Sequence, residues 1–240
     1  MLQERELPEH TQDPMTAIKP VLNRPEICAG GCRFFGETDN MSGGPVVTFD
    51  NRETIYEKDY PARYSYKVIE GAVRTFRVLT DGRRQILDIF LPGDTFSLEL
   101  AEIHVATAEA IGQAKLLRCP RSCIRRQCVQ PDIYDSLMQL VNGYLCAAQD
   151  HVTMLGHLAA KERVACFVLR VTRGSVQHAN KTYLLPYCRQ DIADYLGLTI
   201  ETVSRTLTDL KISGVIALPA RNCVTVRDFD ALKRAAGGAC

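Results

Sequence analysis

The 240-residue sequence contains no tryptophan and carries almost no net charge, +1 at neutral pH. No apolar run approaches the roughly 18 to 20 residues that a membrane span needs, which argues against a transmembrane helix. The opening segment MLQERELPEHTQDPM is polar and has no apolar signal core, so a cytoplasmic rather than an exported protein is expected. There is no phosphate loop of the form G-x-x-x-x-G-K. None of His10, His104, His151, His157 and His178 belongs to a recognisable nucleophile–base motif. The chain therefore reads as a non-enzyme. The residues alone leave two other classes open: an enzyme using a Cys–His dyad assembled only in the fold, and a small-molecule receptor that signals through a protein partner.

The near-zero net charge hides an asymmetry. Residues 159–240 hold twelve Lys or Arg against seven Asp or Glu, a net of +5, which leaves −4 for residues 1–158. A basic C-terminal third on an acidic body suggests a polyanionic partner for that third. Cysteine is plentiful, with ten residues. Without an export signal these read as thiols, metal ligands or redox centres rather than disulfides.

Residues 1–45 read as a tail. From Val46 to about Cys119, short segments rich in Val, Ile, Tyr and Thr are separated by turn signals at Glu70-Gly71, Asp81-Gly82 and Pro92-Gly93-Asp94. TDGRR is a strong hairpin signal, and strands at this spacing suggest a β-barrel or β-roll over 46–130. From Asp132 to Leu158 the period is helical, with Leu137, Val141, Tyr144, Ala148, Val152 and Leu155 recurring at three and four residues. Such a stripe either seals a core or pairs with a copy of itself.

Beyond it, KERVACFVLRV reads as a helix and KTYLLPY as a short strand. RQDIADYL reads as a helix that Gly197 ends, and LTIETVSRTLTDLK as a helix capped by Thr199. VIALPARNCVTVRD looks like a two-stranded wing. Helix, tight Gly turn and second helix form the helix-turn-helix signature. Ala193 and Leu196 give the first helix its inner face; Ile200, Val203, Leu207 and Leu210 do so for the second. The opposite side carries Glu201, Thr202, Ser204, Arg205 and Thr208. In a major groove, Arg205 can donate two parallel hydrogen bonds to guanine O6 and N7, and Glu201 can accept from cytosine N4. Four residues apart, they project from one helical face.

The stretch CRQDIADYLGLTIETVSRTL resembles the C-terminal helix-turn-helix of the CRP/FNR superfamily of transcription regulators. Glu201, Ser204 and Arg205 match the E-x-x-S-R of its FNR branch. VIEGAVRTFRVLTDGRRQILDIFLPGDTFSLE is similar to that superfamily's sensor β-roll, and within it the FixK group of rhizobial microaerobic and nitrogen-fixation regulators matches best. The resemblance spans about residues 46–235. It implies an α+β fold: a β-roll of the double-stranded β-helix or jelly-roll type over 46–130, a long dimerisation helix over 131–158, and a winged helix-turn-helix over 159–235. It further implies a cytoplasmic homodimer that reads a palindrome with TTGAT-like half-sites and activates through RNA polymerase. Carried onto this chain, Glu201, Ser204 and Arg205 are the base readers, with Ile200 and Thr202 beside the groove.

The cyclic-nucleotide members hold cAMP through an acidic residue and an Arg. Here FSLELAEIHVATAEAI keeps Glu99 but offers no Arg, so a ligand phosphate would lack its guanidinium partner and cAMP is not expected. The iron–sulfur members use four Cys, three of them near the N-terminus. Cys28 and Cys32 fall one short of that group and differ in spacing; Cys119, Cys123 and Cys128 follow later. No cofactor is therefore the first expectation, and a cluster on Cys28, Cys32 and later cysteines such as Cys119 is the alternative. Cys188 precedes the first motif helix beside Arg189, a setting that favours the oxidisable thiolate, and is the redox candidate. Cys146 and Cys166 are expected in the core.

Overall fold

The computed structural model describes residues 44–98, 101–172, 182–185, 187–220 and 222–237. Six strands form the first unit: β1 (Val46–Phe49), β2 (Thr54–Tyr56), β3 (Tyr64–Val78), β4 (Arg84–Phe90), β5 (Thr95–Phe96) and β6 (Thr107–Pro120). The long β3 and β6 pair antiparallel along most of their length, with β4 and β5 on β3 and β1 and β2 on β6. The β3–β4 connection is the hairpin expected from TDGRR: Gly82 has φ 82°, and its amide donates to the Leu79 carbonyl at 2.9 Å.

Glu70-Gly71, expected as a turn, lies inside β3 instead. The register shifts around it, and Gly71 has φ 79°. A Cβ there would sit 2.2 Å from the Gln113 carbonyl oxygen of β6. Glycine is required at this close strand approach, which makes the pair a bulge signal rather than a strand break. The roll's interior is filled by Tyr56, Tyr66, Val68, Phe90, Phe96 and Leu116. The Tyr66 and Phe96 rings stack at 5.2 Å, and His104 stacks on Tyr56 at 3.6 Å.

Helix α1 (Arg121–Gln127) leads into α2 (Pro131–His157), which starts with proline at its first turn, where the missing N–H costs nothing. The 3–4 stripe expected on α2 splits into two faces. Leu137, Tyr144 and Leu155 turn inward together with Ile133, Leu140, His151 and Met154, and the Tyr144 hydroxyl donates to the Thr95 carbonyl. Val141, Ala148 and Val152 are exposed, in line with Tyr134, Met138 and Leu145.

The remaining elements are α3 (Ala160–Thr172), β7 (Thr182–Leu184), α4 (Arg189–Leu196), α5 (Ile200–Ile212), β8 (Ile216–Ala217), β9 (Cys223–Val226) and α6 (Phe229–Ala235). The two wing strands, β8 and β9, pair antiparallel, and β7 adds a third strand on the other side of β9. Their core runs from Val164, Phe167 and Val168 of α3 through Ile192, Val203 and Leu207. It also takes in Ile86 and Ile89 of β4 and Met154 of α2. The C-terminal unit is therefore packed onto the roll through apolar side chains. Among the described residues, no helix is long and apolar enough to cross a membrane.

Candidate nucleic-acid interface

Each helix of the motif begins on a side-chain cap. The Thr199 hydroxyl accepts from the Thr202 amide at 3.2 Å, starting α5 as its sequence predicts. Gly197 ends α4 with φ 62°, a left-handed residue that glycine adopts without the Cβ penalty. Together these two residues shape the turn between α4 and α5. On α5, Val203, Leu207 and Leu210 are buried.

Ile200 departs from its expected place on that inner face. It stands at the first position of the helix and is 36% exposed, while Thr206 at 7% occupies the buried stripe instead. At a helix start the chain is still entering from the turn, so a residue three positions before Val203 need not share its packing. Ile200 thus joins the outer side with Glu201 and Arg205, both exposed, and Thr202 and Ser204, both half-buried. The Glu201 carboxyl is held below its usual range by its own backbone amide, then by the Thr199 hydroxyl, with the Arg205 charge assisting. The exposed tip therefore presents a fixed anion and a guanidinium one turn apart.

Cys188 is the N-cap of α4. Its sulfur accepts from the Asp191 amide at 3.4 Å, and its thiol donates to Asp191 Oδ2 at 3.2 Å. The Cys188 amide returns to the same oxygen at 3.4 Å. This reciprocal cap is built from Cys and Asp, where Ser or Thr and Glu are usual, and the sequence pattern hid it. Cys188 is nevertheless exposed.

Residues 162–235 match the Crp-like helix-turn-helix domain family, and residues 46–130 match the cyclic nucleotide-binding domain family. The nitrogen fixation regulation protein FixK of Azorhizobium caulinodans is 42% identical over 196 residues, covering 80% of this chain and 79% of that protein. The protein of the same name from Bradyrhizobium diazoefficiens is 39% identical over 178 residues, 73% of this chain and 75% of that one. The solved structure of FixK2 from Bradyrhizobium japonicum superposes with TM-score 0.76 at 36% identity, over 81% of this chain and 97% of that one.

The chain belongs to the CRP/FNR family, as a FixK-like member. It is a DNA-binding transcription regulator, and its family is not one of enzymes. Residues matching the cyclic nucleotide-binding domain family form the roll, whose interior is packed by aromatic and aliphatic side chains. Glu99 lies outside the described residues, as do Cys28 and Cys32. Cys119 closes β6 and is buried, its thiol pushed up by burial and by the neighbouring Cys123. Among the described residues, no three His, Cys, Asp or Glu side chains converge as metal ligands. Cys166 is fully buried as expected, but Cys146 is exposed on α2, a correction to its placement in the core. It directly follows Leu145 on the outer side of that helix.

Two groups of contacts around the motif escape the sequence pattern. Arg163 of α3 donates to the carbonyls of Leu155, Leu158 and Leu196 at 2.7, 2.9 and 3.1 Å. One guanidinium thus satisfies carbonyls at the ends of both α2 and α4. The other group is ionic. Asp191 Oδ1 accepts from Arg74 Nη1 at 2.7 Å and Arg84 Nη2 at 2.8 Å, and Asp194 Oδ2 accepts from Arg84 Nε at 2.7 Å. Arg74 also pairs with Glu109.

Proposed function

We propose that this FixK-like regulator binds, as a homodimer, a palindromic duplex with TTGAT-like half-sites, reading each with the exposed tip of α5. One observation carries the reading. Glu201 and Arg205 stand exposed four residues apart, on the side of α5 away from buried Val203, Leu207 and Leu210. Arg205 then donates to guanine and Glu201 accepts from cytosine of the half-site G·C pair, with Ile200, Thr202 and Ser204 at the neighbouring bases and phosphates.

The exposed row Tyr134, Met138, Val141, Leu145, Ala148 and Val152 supports the homodimer. Its spacing alternates four and three residues, the repeat of a coiled-coil seam. Two copies of α2 joined along it would set the recognition helices about one turn of DNA apart, some 34–36 Å. By its resemblance to the FixK regulators, the protein acts in the cytoplasm, contacts RNA polymerase as an activator, and serves microaerobic and nitrogen-fixation-related genes. Cys188, exposed at the start of the motif, serves as an oxidant-sensitive point.

Gel-shift titration at one stated salt tests the reading. Wild-type protein should prefer a TTGAT palindrome over a shuffled duplex, and Arg205→Ala should lose about 1–3 kcal/mol of that preference per half-site. Equal affinity of wild type for both duplexes would overturn it.

A further inference from the structure

The ionic group around Asp191 joins the two halves of the chain. Its three pairs to α4 connect residues 107 to 117 positions apart. Arg74 and Arg84 belong to β3 and β4 of the roll, whereas Asp191 and Asp194 belong to the first helix of the DNA-reading motif. The Arg74 side chain is 7% exposed and that of Asp191 is 2% exposed, so these are not solvated surface pairs. Burial works against the Arg84 charge, but the Asp194 hydrogen bond and the carboxylates of Asp194, Asp191 and Glu109 outweigh it and raise its basicity.

The acceptors are equally engaged. Asp191 Oδ1 takes both guanidinium groups, and Oδ2 takes the Cys188 amide and thiol. Gln190 donates to the remaining Asp194 oxygen at 2.6 Å. Two guanidinium groups face three carboxylates, and one of these, Asp191, lies in the first turn of α4, where the helix dipole favours an anion. Beside this group, the Gln85 side-chain amide donates to the Tyr195 carbonyl at 3.2 Å, and Ile86 and Ile89 pack into the C-terminal core.

Ile86 and Ile89 already supply apolar attachment between the halves. Well-packed apolar side chains in place of buried ion pairs are often as stabilising, whereas charges demand one geometry. We propose that Arg74 and Arg84 are positioning residues for DNA recognition: through Asp191 and Asp194 they fix the angle of α4, and hence of α5, on the roll. Each roll is then a rigid mount for its reading helix. The clamp matters most when two helices must meet two half-sites at once. The inference rests on the palindrome reading above.

Arg84→Gln is the test variant, because Arg84 is the more accessible arginine, with a side chain 24% exposed. Its affinity for a two-half-site duplex should fall by about tenfold, the factor equal to 1.4 kcal/mol. Its affinity for a single half-site should stay within about twofold, and adding Asp194→Asn should cost little more, as for two members of one network. Equal losses on both duplexes would mean general damage and would overturn the clamp, as would no loss on either. Scanning calorimetry supplies a readout without DNA. Wild type should unfold in one transition and Arg84→Gln should resolve the roll from the motif; one transition in both would overturn the clamp even if the palindrome reading had failed. A wild type indifferent to half-site sequence, with the calorimetric split intact, would keep the clamp and remove only the palindrome reading.

Discussion

The imidazole of His151, on α2, lies against the ring of Tyr195, on α4, with centroids 4.2 Å apart. It is buried, and neither ring nitrogen has a hydrogen-bond partner among the described residues. Burial first, and then the Arg170 charge, lower its pKa to about 4, with Asp88 opposing. The folded protein therefore keeps His151 neutral where the unfolded chain would protonate it. Stability from this group is complete above the unfolded value near 6.5 and declines as pH falls from there toward 4. By linkage the loss is about 3 kcal/mol across that window. Urea midpoints between pH 7.5 and 4.5 should fall in wild type and fall less in His151→Phe; parallel curves would remove His151 as the cause.

The two faces of α2 should respond differently to substitution. Leu145→Glu with Val141→Glu places charges on side chains exposed in the single chain, so the fold should persist while the proposed dimer should dissociate in sedimentation experiments. Leu140→Ala, inward and 5% exposed, should instead destabilise the subunit by about 2–5 kcal/mol. A double Glu variant that sediments as the dimer would show that the seam lies elsewhere.

These contrasts mark how far the sequence could be read. The TDGRR hairpin, the wing and the Gly197 turn were legible because each rests on local chemistry: a left-handed glycine or a strand pair close in the chain. The α2 stripe was only half legible. The expected stripe lies along the border between the covered and the exposed side: Leu137 is half-buried, while Val141, only about 40° further round the helix, is exposed. Cys146 was misplaced because its apolar neighbours in sequence, Leu145 and Ala147, do not share its side of the helix. Ile200 was misread because a helix start packs unlike its middle. The clamp was invisible: nothing local ties Arg84 to Asp194 across 110 residues, and only the folded roll brings them together.

The turn between the motif helices should be costly to alter. A Cβ at Gly197 would meet its nearest atom, Leu155 Cδ2, at an ordinary 3.6 Å, so Gly197→Ala is strained only by its φ of 62°. The expected cost is about 1–2 kcal/mol. Thr199→Ala removes the cap of α5 and should cost about 1 kcal/mol, while Thr199→Ser should retain it. Denaturant midpoints measure all three; a Ser variant as unstable as the Ala one would discount the cap.

Cys188 offers a chemical test of the motif's first turn. Peroxide would convert the thiol to a sulfenic acid with loss of water, and a second equivalent would give the sulfinic acid. A sulfinate would replace the S–H donor with negative charge beside the Asp191 carboxylate, 3.2 Å from the sulfur in the reduced form. That carboxylate also holds Arg74 and Arg84, so oxidation would disturb the α4 cap and its seat on the roll together. Cys188→Ser keeps a hydroxyl able to accept from the Asp191 amide and donate to its carboxylate. Operator binding by wild type should decay under peroxide and that of Cys188→Ser should persist. Cys146→Ser, altering another exposed thiol, should decay like wild type. Protection by the Cys146 variant alone would move the oxidant-sensitive point to α2 and away from the DNA-reading motif.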